Sequence, residues 1–295
     1  AGGTAVAVLA VIVWQLPTDR PLLRMRSFYG IISVYHALEG PIDRPVEVMA
    51  LKHGWITHGL QPVEPEKRHW ATAYYGEAGG MGWAIRHLQQ QGPVRIGAVG
   101  LGTGTVATYA RAGDYCRFYE INPQVVWLAE NPDYFTYVTD CRQRTGCDVV
   151  LGDARLSLLR ELQLHCPQGF DVLVLDAFSG DAIPVHLLTR EAFQIYLAHL
   201  KPGGILAVHT SNRYLDLEPV VFRLALEFGL YAGIFHNQTD EEKLVYSSTW
   251  ILLTADEATA ATMPKHARVN PGDSSRAPLW TDHYSNLLQV LRWPD

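Results

Sequence analysis

The chain has 295 residues, 48% hydrophobic and 18% charged, a balance that excludes a disordered chain and suits one large α/β domain with an appendage, or two domains. Its 24 Lys and Arg against 30 Asp and Glu give a formal net charge of -6 with no basic run, which argues against a nucleic-acid partner and is compatible with a small cationic substrate. The four cysteines, Cys116, Cys141, Cys147 and Cys166, form no CxxC pair and read as free thiols of a reducing, cytoplasmic compartment.

Residues 1–20 stand apart. "AVAVLAVIVW" (residues 5–14) is continuously apolar but shorter than the roughly 20 residues that span a bilayer, and it lacks the basic flank of a signal peptide. It reads either as the end of a membrane helix, which would associate the intact protein with a membrane, or as a buried strand or helix. Residues 21–72 read as a small β-rich N-terminal domain: "SFYGIISVYHAL", "PVEVMALKHGW" and "ITHGLQPV" are short strands joined by Gly and Pro turns. Residues 73–295 read as the main domain. "HWATAYYGEAGGMGWAIRHLQQQG" becomes helical and leads into an alternation of strands and helices that begins at residue 94.

The strands of that alternation are "VRIGAVG", "CRFYEIN", "CDVVLGD", "FDVLVLDAF", "GILAVHT", "AGIFHN" and "STWILLTA". Between them "TVATYARAG", "PQVVWLAENP", "ARLSLLRELQ", "REAFQIYLAHL" and "LEPVVFRLALEFG" have helical spacing of apolar residues. The pattern predicts an α/β fold with a doubly wound, mostly parallel seven-stranded sheet, its last two strands pairing antiparallel at an edge. After residue 256 the chain reads as a helix start and loop, with "YSNLLQVLRW" as a terminal helix.

Ligands bind such a sheet at the carboxyl ends of its strands, near the point where strand order reverses. "VGLGTGT" (residues 99–105) follows the first strand, and Gly100, Gly102 and Gly104 let backbone turn sharply or approach a ligand closely. Glu120 ends the next strand, 20 residues after Gly100, where a carboxylate can accept ribose hydroxyl hydrogens. Asp153 ends the third strand and Asp176 the fourth. Any one of these acids could cap a helix. Three of them beside a glycine loop point to a ligand, because carboxylates there are costly unless satisfied. Thr105 stands where a dinucleotide fingerprint has its third glycine, and the GxGxG form followed by an acid resembles class I S-adenosylmethionine-dependent enzymes. His53, His58, His186, His209 and His283 show no ligand spacing, so no metal is expected. His209 ends the fifth strand beside the pocket, which opens a catalytic part to it, but a hydrogen-bonded structural ring is the favoured reading.

The ordered series "VGLGTGT…FYEINPQVV…VVLGDARLSLL…FDVLVLDAFSGDAIPVHLLTREAFQIYLAHLKPGGILAVHTSNR" resembles the spermidine synthase (polyamine aminopropyltransferase) family, in particular its bacterial branch with a membrane-fused domain. The resemblance implies a Rossmann-like transferase domain behind a small N-terminal β-domain, usually dimeric, with decarboxylated S-adenosylmethionine as cosubstrate and a polyamine as acceptor. It makes Glu120 the ribose-binding acid, Asp153 with the adjacent Ala154 the adenine-side contact, and Asp176 the base that takes the amine's proton. Gly100, Gly102, Thr103 and Gly104 would cradle the cosubstrate and Gln61 would face it. Tyr75 and Asp181 would contact the acceptor, Asp181 from a "FSGDAIP" lid.

Four departures qualify the resemblance. Thr103 replaces the acidic residue of the family's glycine loop, which greets the cosubstrate's free amine. Gly76 follows Tyr75 where the family has histidine, Ser247 and Ser248 stand where another tyrosine is expected, and the second lid acid has moved to Asp181. Three functions therefore stay open: aminopropyl transfer; methyl transfer or other sulfonium chemistry on ordinary S-adenosylmethionine; and a non-catalytic nucleoside-binding domain.

Overall fold

A computed structural model describes residues 20–177 and 184–292. The apolar stretch at residues 5–14, Asp181 and most of the expected lid lie outside the described residues. Among those described, no helix is long and apolar enough to cross a membrane.

Strands β1 (Leu23–Ser27), β2 (Gly30–Glu39), β3 (Val46–His53) and β4 (Ile56–Pro62) form an antiparallel sheet in that order. "SFYGIISVYHAL" is therefore split between two strands. Gly30, at φ +113°, takes the left-handed conformation that the hairpin needs. Alternate residues Val46, Val48 and Ala50 turn inward onto Leu60 and Leu244.

The second sheet contains β5 (Arg95–Val99), β6 (Tyr115–Glu120), β7 (Gly146–Leu151), β8 (Phe170–Leu175), β9 (Leu200–His209), β10 (Tyr231–Asn237), β11 (Ser248–Thr254) and β12 (Arg268–Val269), in the order β12-β10-β11-β9-β8-β5-β6-β7. Strands β5 to β9 are parallel, and β11 runs antiparallel to both β9 and β10. The seven expected strands are all present, and the two-residue β12 adds an edge that the sequence presents only as loop. Strand β5 lies between β6 and β8, so the chain winds outward one way through β7 and then the other way through β8 and β9. That reversal is the switch point at which open α/β sheets bind ligands.

Side chains leave the parallel strands alternately to two cores. Ile96, Ala98, Val172, Val174, Ile205 and Ala207 enter one; Val99, Leu173, Leu175, Leu206 and Val208 enter the other. Burial on both faces explains why these strands read as unbroken apolar runs. The helices are α1 (Gly80–Leu88), α2 (Pro123–Glu130), α3 (Tyr137–Arg144), α4 (Ala154–Gln163), α5 (Arg190–Ala198), α6 (Glu218–Glu227) and α7 (Glu257–Thr262). Asn122 caps α2 ahead of Pro123, Asp153 caps α4 and Thr189 caps α5, each side chain accepting a backbone N–H of the first turn.

Two local expectations are corrected and one helix is added. The segment after the glycine loop is a short 3-10 helix, Thr105–Tyr109, that ends when Ala110 turns extended. Helix α3 has no expectation behind it, because only Tyr137, Val138 and Cys141 are buried in an otherwise polar segment. The C-terminal segment forms only a 3-10 turn, Leu287–Val290, because Leu291 then bridges Leu215 and the Arg292 N–H bonds the Tyr214 carbonyl in extended backbone.

Candidate active site

The parallel strands deliver their chemistry to one edge. Gly100 follows β5, Glu120 ends β6, Asp153 follows β7, Asp176 follows β8 and His209 ends β9. Together with His53, Ile56, Thr57 and His58 of the N-terminal sheet they line a cleft of about 760 Å³. That volume is in the range of small-molecule sites.

Glycine is required at the floor. Gly100 has φ +98°, and a Cβ there would collide with the carbonyl oxygen of Asp176. Backbone bonds from Gly100 N to Tyr119 O and from Asp176 N to Val99 O, both 2.9 Å, hold the three strand ends together. Gly102, at φ +54°, would place a Cβ 2.7 Å from the His58 carbonyl oxygen.

Asp176 is 10% exposed and both its oxygens are engaged. The Tyr75 hydroxyl donates to Oδ2, and His209 Nδ1 lies 2.7 Å from Oδ1, so that its N–H donates. Tyr75 is positioned by its neighbours. The Tyr74 carbonyl accepts from Trp250 Nε1 at 3.1 Å and from Ser248 Oγ at 3.3 Å, while the Tyr109 hydroxyl donates to the Tyr75 carbonyl. The His209 ring stacks on Trp250, with centroids 4.6 Å apart and an interplanar angle of 16°.

Burial pushes the Asp176 pKa up, but the His209 ring, the His209 and Tyr75 hydrogen bonds and the more distant His58 outweigh it, and the net shift is downward. Burial and then the Asp176 charge push the Tyr75 hydroxyl well above its ordinary value, so Tyr75 stays a neutral donor. Glu120 accepts N–H bonds from Leu101 at 3.1 Å and Asn122 at 2.8 Å, yet burial still raises its pKa. His58 is lowered to about 4 by burial and by neighbouring His53, against the pull of Asp176, and its Nε2 is buried with no hydrogen-bond partner among the described residues.

Gly100, Gly102, Glu120, Asp153, Ala154, Tyr75 and Asp176 thus meet in one cleft. Asp153 has two tasks: Oδ1 caps α4 at Leu156 N, 2.9 Å, and Oδ2 faces His186 Nε2 at 3.0 Å. Three expected contacts are not part of the lining. Thr103 is 1% exposed, its hydroxyl 2.9 Å from that of Thr105 and packed beneath Gly59. Gly104, at φ +86°, caps the 3-10 helix against Val138. Gln61 is 3% exposed; its Nε2 donates to Arg68 O at 2.7 Å and Thr136 Oγ1 at 3.0 Å, and its Oε1 accepts from Thr136 N at 2.7 Å. These residues hold the fold around the site.

Sequence reasoning missed His209 as the partner of Asp176, and missed His58, His186, Arg213 and Arg292 in the lining. For His209 the signal was present, since it closes a strand beside the switch point as the acids do. Among the described residues no group of three or more His, Cys, Asp or Glu is arranged to hold a metal ion.

No family model matches the chain. A stretch of 137 residues is 34% identical to a polyamine aminopropyltransferase from Vibrio vulnificus (strain CMCP6), covering 44% of this chain and 43% of that protein. The match therefore spans less than half the length of this curated relative. A solved structure of a probable spermidine synthase from Corynebacterium glutamicum ATCC 13032 superposes with a TM-score of 0.59 at 15% identity, covering 92% of this chain and 99% of that one. A spermidine synthase from Thermotoga maritima superposes with a TM-score of 0.48 at 13% identity, covering 93% of this chain and 85% of that one. Over that stretch the chain is similar in sequence to a polyamine aminopropyltransferase, and its fold is the spermidine synthase-like fold.

Proposed function

We propose that the chain is a transferase that moves an aminopropyl group from decarboxylated S-adenosylmethionine to a small amine, with Asp176 as the base. The observation that carries this reading is Asp176 itself: a carboxylate at the switch point, fixed at both oxygens by Tyr75 and His209 and facing an open cleft. A carboxylate has about four acceptor sites, so two donors leave room for an attacking amine.

The residues fit a sulfonium nucleoside. Gly100 and Gly102 line the cleft with bare backbone, packed too tightly on the Asp176 and His58 carbonyls to carry a Cβ, and Glu120 is fixed by two N–H bonds with capacity to accept ribose hydroxyls. Asp153 and Ala154 stand at the next strand end, where the base of the nucleoside would lie. When bound, the sulfonium supplies an electrophilic carbon and a neutral thioether leaving group. Asp176 holds the ammonium of the acceptor, takes its proton and points the freed lone pair along the attack line. The downward shift of its pKa favours passing that proton on to water. Its larger contribution is alignment of the nitrogen, with Tyr75 and His209 preventing its rotation.

Methyl transfer from ordinary S-adenosylmethionine is the second reading, favoured by one observation: the loop from Gly100 to Gly104 carries no acid, and Thr103 is buried away from the cleft. Incubating the chain with each donor and an amine separates the two. Methylthioadenosine from the decarboxylated donor supports aminopropyl transfer; S-adenosylhomocysteine from the ordinary donor overturns it in favour of methyl transfer.

A further inference from the structure

The lining of the cleft is divided by charge. Its carboxylates among the described residues are Glu120, Asp153 and Asp176. Glu120 and Asp153 close β6 and β7, on the nucleoside side of the switch point, and Asp176 stands at the reversal itself. Beyond Asp176, on the side of β9, β10 and β11, the described lining holds no carboxylate. It offers the neutral polar groups of Ser211, Asn212, Gln238 and Ser247, and two guanidinium side chains, Arg213 and Arg292.

The two arginines come from segments that the fold ties together. Leu215 bridges Leu291, and the Arg292 N–H bonds the Tyr214 carbonyl at 2.7 Å, so Arg213 and Arg292 share one rim. Their charges are weakly answered from within. Arg292 reaches Asp216 only at 3.8 Å, with both side chains about half exposed, Glu218 lies within electrostatic range of it without an ion pair, and Arg213 lies over the neighbouring Tyr214 ring. The segment carrying Arg213 leaves β9 four residues after His209, the ring that touches Asp176. A diamine whose distal ammonium lay along this rim would meet like charge there. Guanidinium groups and hydroxyls are the usual partners of a carboxylate.

We propose that the acceptor is an amine that also carries a carboxylate, a diamino acid rather than a bare polyamine, with Arg213 and Arg292 pairing the carboxylate while the reacting amine meets Asp176. The assignment rests on the transferase reading above. The acceptor nitrogen gives its lone pair to the new N–C bond, the C–S bond breaks with its electron pair passing to sulfur, and the nitrogen's proton leaves through Asp176 to solvent. The acceptor's carboxylate takes no part in bond making. It selects and orients.

Putrescine and ornithine differ by one carboxylate and make a matched pair of probes. The full chain is first titrated with methylthioadenosine, and the loaded protein then with each amine by calorimetry, for the wild type and for the R213Q/R292Q double variant. Ornithine is expected to bind the wild type at least tenfold more tightly than putrescine, and the double variant to lose that preference. The double variant should keep the wild-type melting temperature and methylthioadenosine affinity, because the two side chains lie on the exposed rim. Putrescine binding as tightly as ornithine, or a double variant that keeps the preference, overturns the assignment and leaves the transferase reading intact. Failure of the wild type to bind methylthioadenosine overturns the nucleoside reading, and this assignment with it.

Discussion

His209 Nδ1 lies 2.7 Å from Oδ1 of Asp176, joining the ends of two adjacent strands through a side-chain bond. The Tyr75 hydroxyl holds the other oxygen from outside the sheet. Loop geometry alone would leave a carboxylate at this position free to rotate; here it has one orientation.

Tyr75→Phe removes one of the two donors while keeping the ring. A hydrogen bond to a charged group is worth about 1.5–3 kcal/mol, so kcat should fall roughly 10- to 100-fold. The pH profile adds a directional check. The native Asp176 pKa is depressed, so its activity is present above that value and is lost as pH falls through it. Without Tyr75 the acid limb should move to higher pH, which a kcat/KM profile of wild type and variant reads directly.

Glu120→Gln should weaken nucleoside binding about 10- to 100-fold, the scale of a lost charge-assisted bond. Burial raises the Glu120 pKa, so wild-type affinity should begin to fall on acidification earlier than an exposed glutamate near 4.3 would allow. Calorimetric titration with methylthioadenosine across the acid range checks both statements.

Gly100→Ala places a methyl group against the Asp176 carbonyl at φ +98° and should cost about 2 kcal/mol or more in stability. At about 2–4 °C per kcal/mol, the melting temperature should drop by several degrees. An unchanged melt would show that β5 and β8 do not approach as closely as described.

His58 gives the fold an acid sensitivity. Its native pKa is about 4, against about 6.5 when unfolded, so the unfolded chain binds a proton first as pH falls. The stability contributed by keeping this ring neutral is complete above about pH 6.5 and is lost as pH falls toward 4, by up to about 3 kcal/mol. His53, lowered by burial, acts in the same direction, and the nearby Asp176 charge opposes it at His58. Urea midpoints measured from pH 7 to 4.5 should fall less steeply for His58→Leu than for wild type.

How much was legible in the sequence follows from the range of the interactions. Gly100, Glu120, Asp153 and Asp176 could be placed in the cleft because each ends a strand, and strand ends gather at one edge of a parallel sheet whatever else the fold does. Thr103 and Gln61 could not be judged this way. Spacing does not say which side of a loop meets the ligand, and Gln61 is occupied by Thr136, 75 residues away. His209 was placed beside the cleft by its strand end, but its pairing with Asp176 on the neighbouring strand has no local pattern, so the structural reading was favoured. Arg213 and Arg292 share a rim only through the bridge between Leu215 and Leu291, which no periodicity announces. Helix α3 and the C-terminal turn were missed or overdrawn for the same reason, since tertiary pairing rather than apolar spacing decides them.

The central claim is that Asp176 acts on the acceptor nitrogen and is not needed to hold the nucleoside. Asp176→Asn keeps the shape of the side chain while removing its charge and basicity, and it turns one of the two acceptor oxygens into an NH2 donor. Nucleoside affinity by calorimetry and single-turnover transfer should be measured on the same preparation of this variant. Loss of a general base costs about 10²- to 10⁴-fold in rate, so transfer should fall into that range while the methylthioadenosine affinity stays within a few-fold of wild type. Transfer at the wild-type rate would contradict the account.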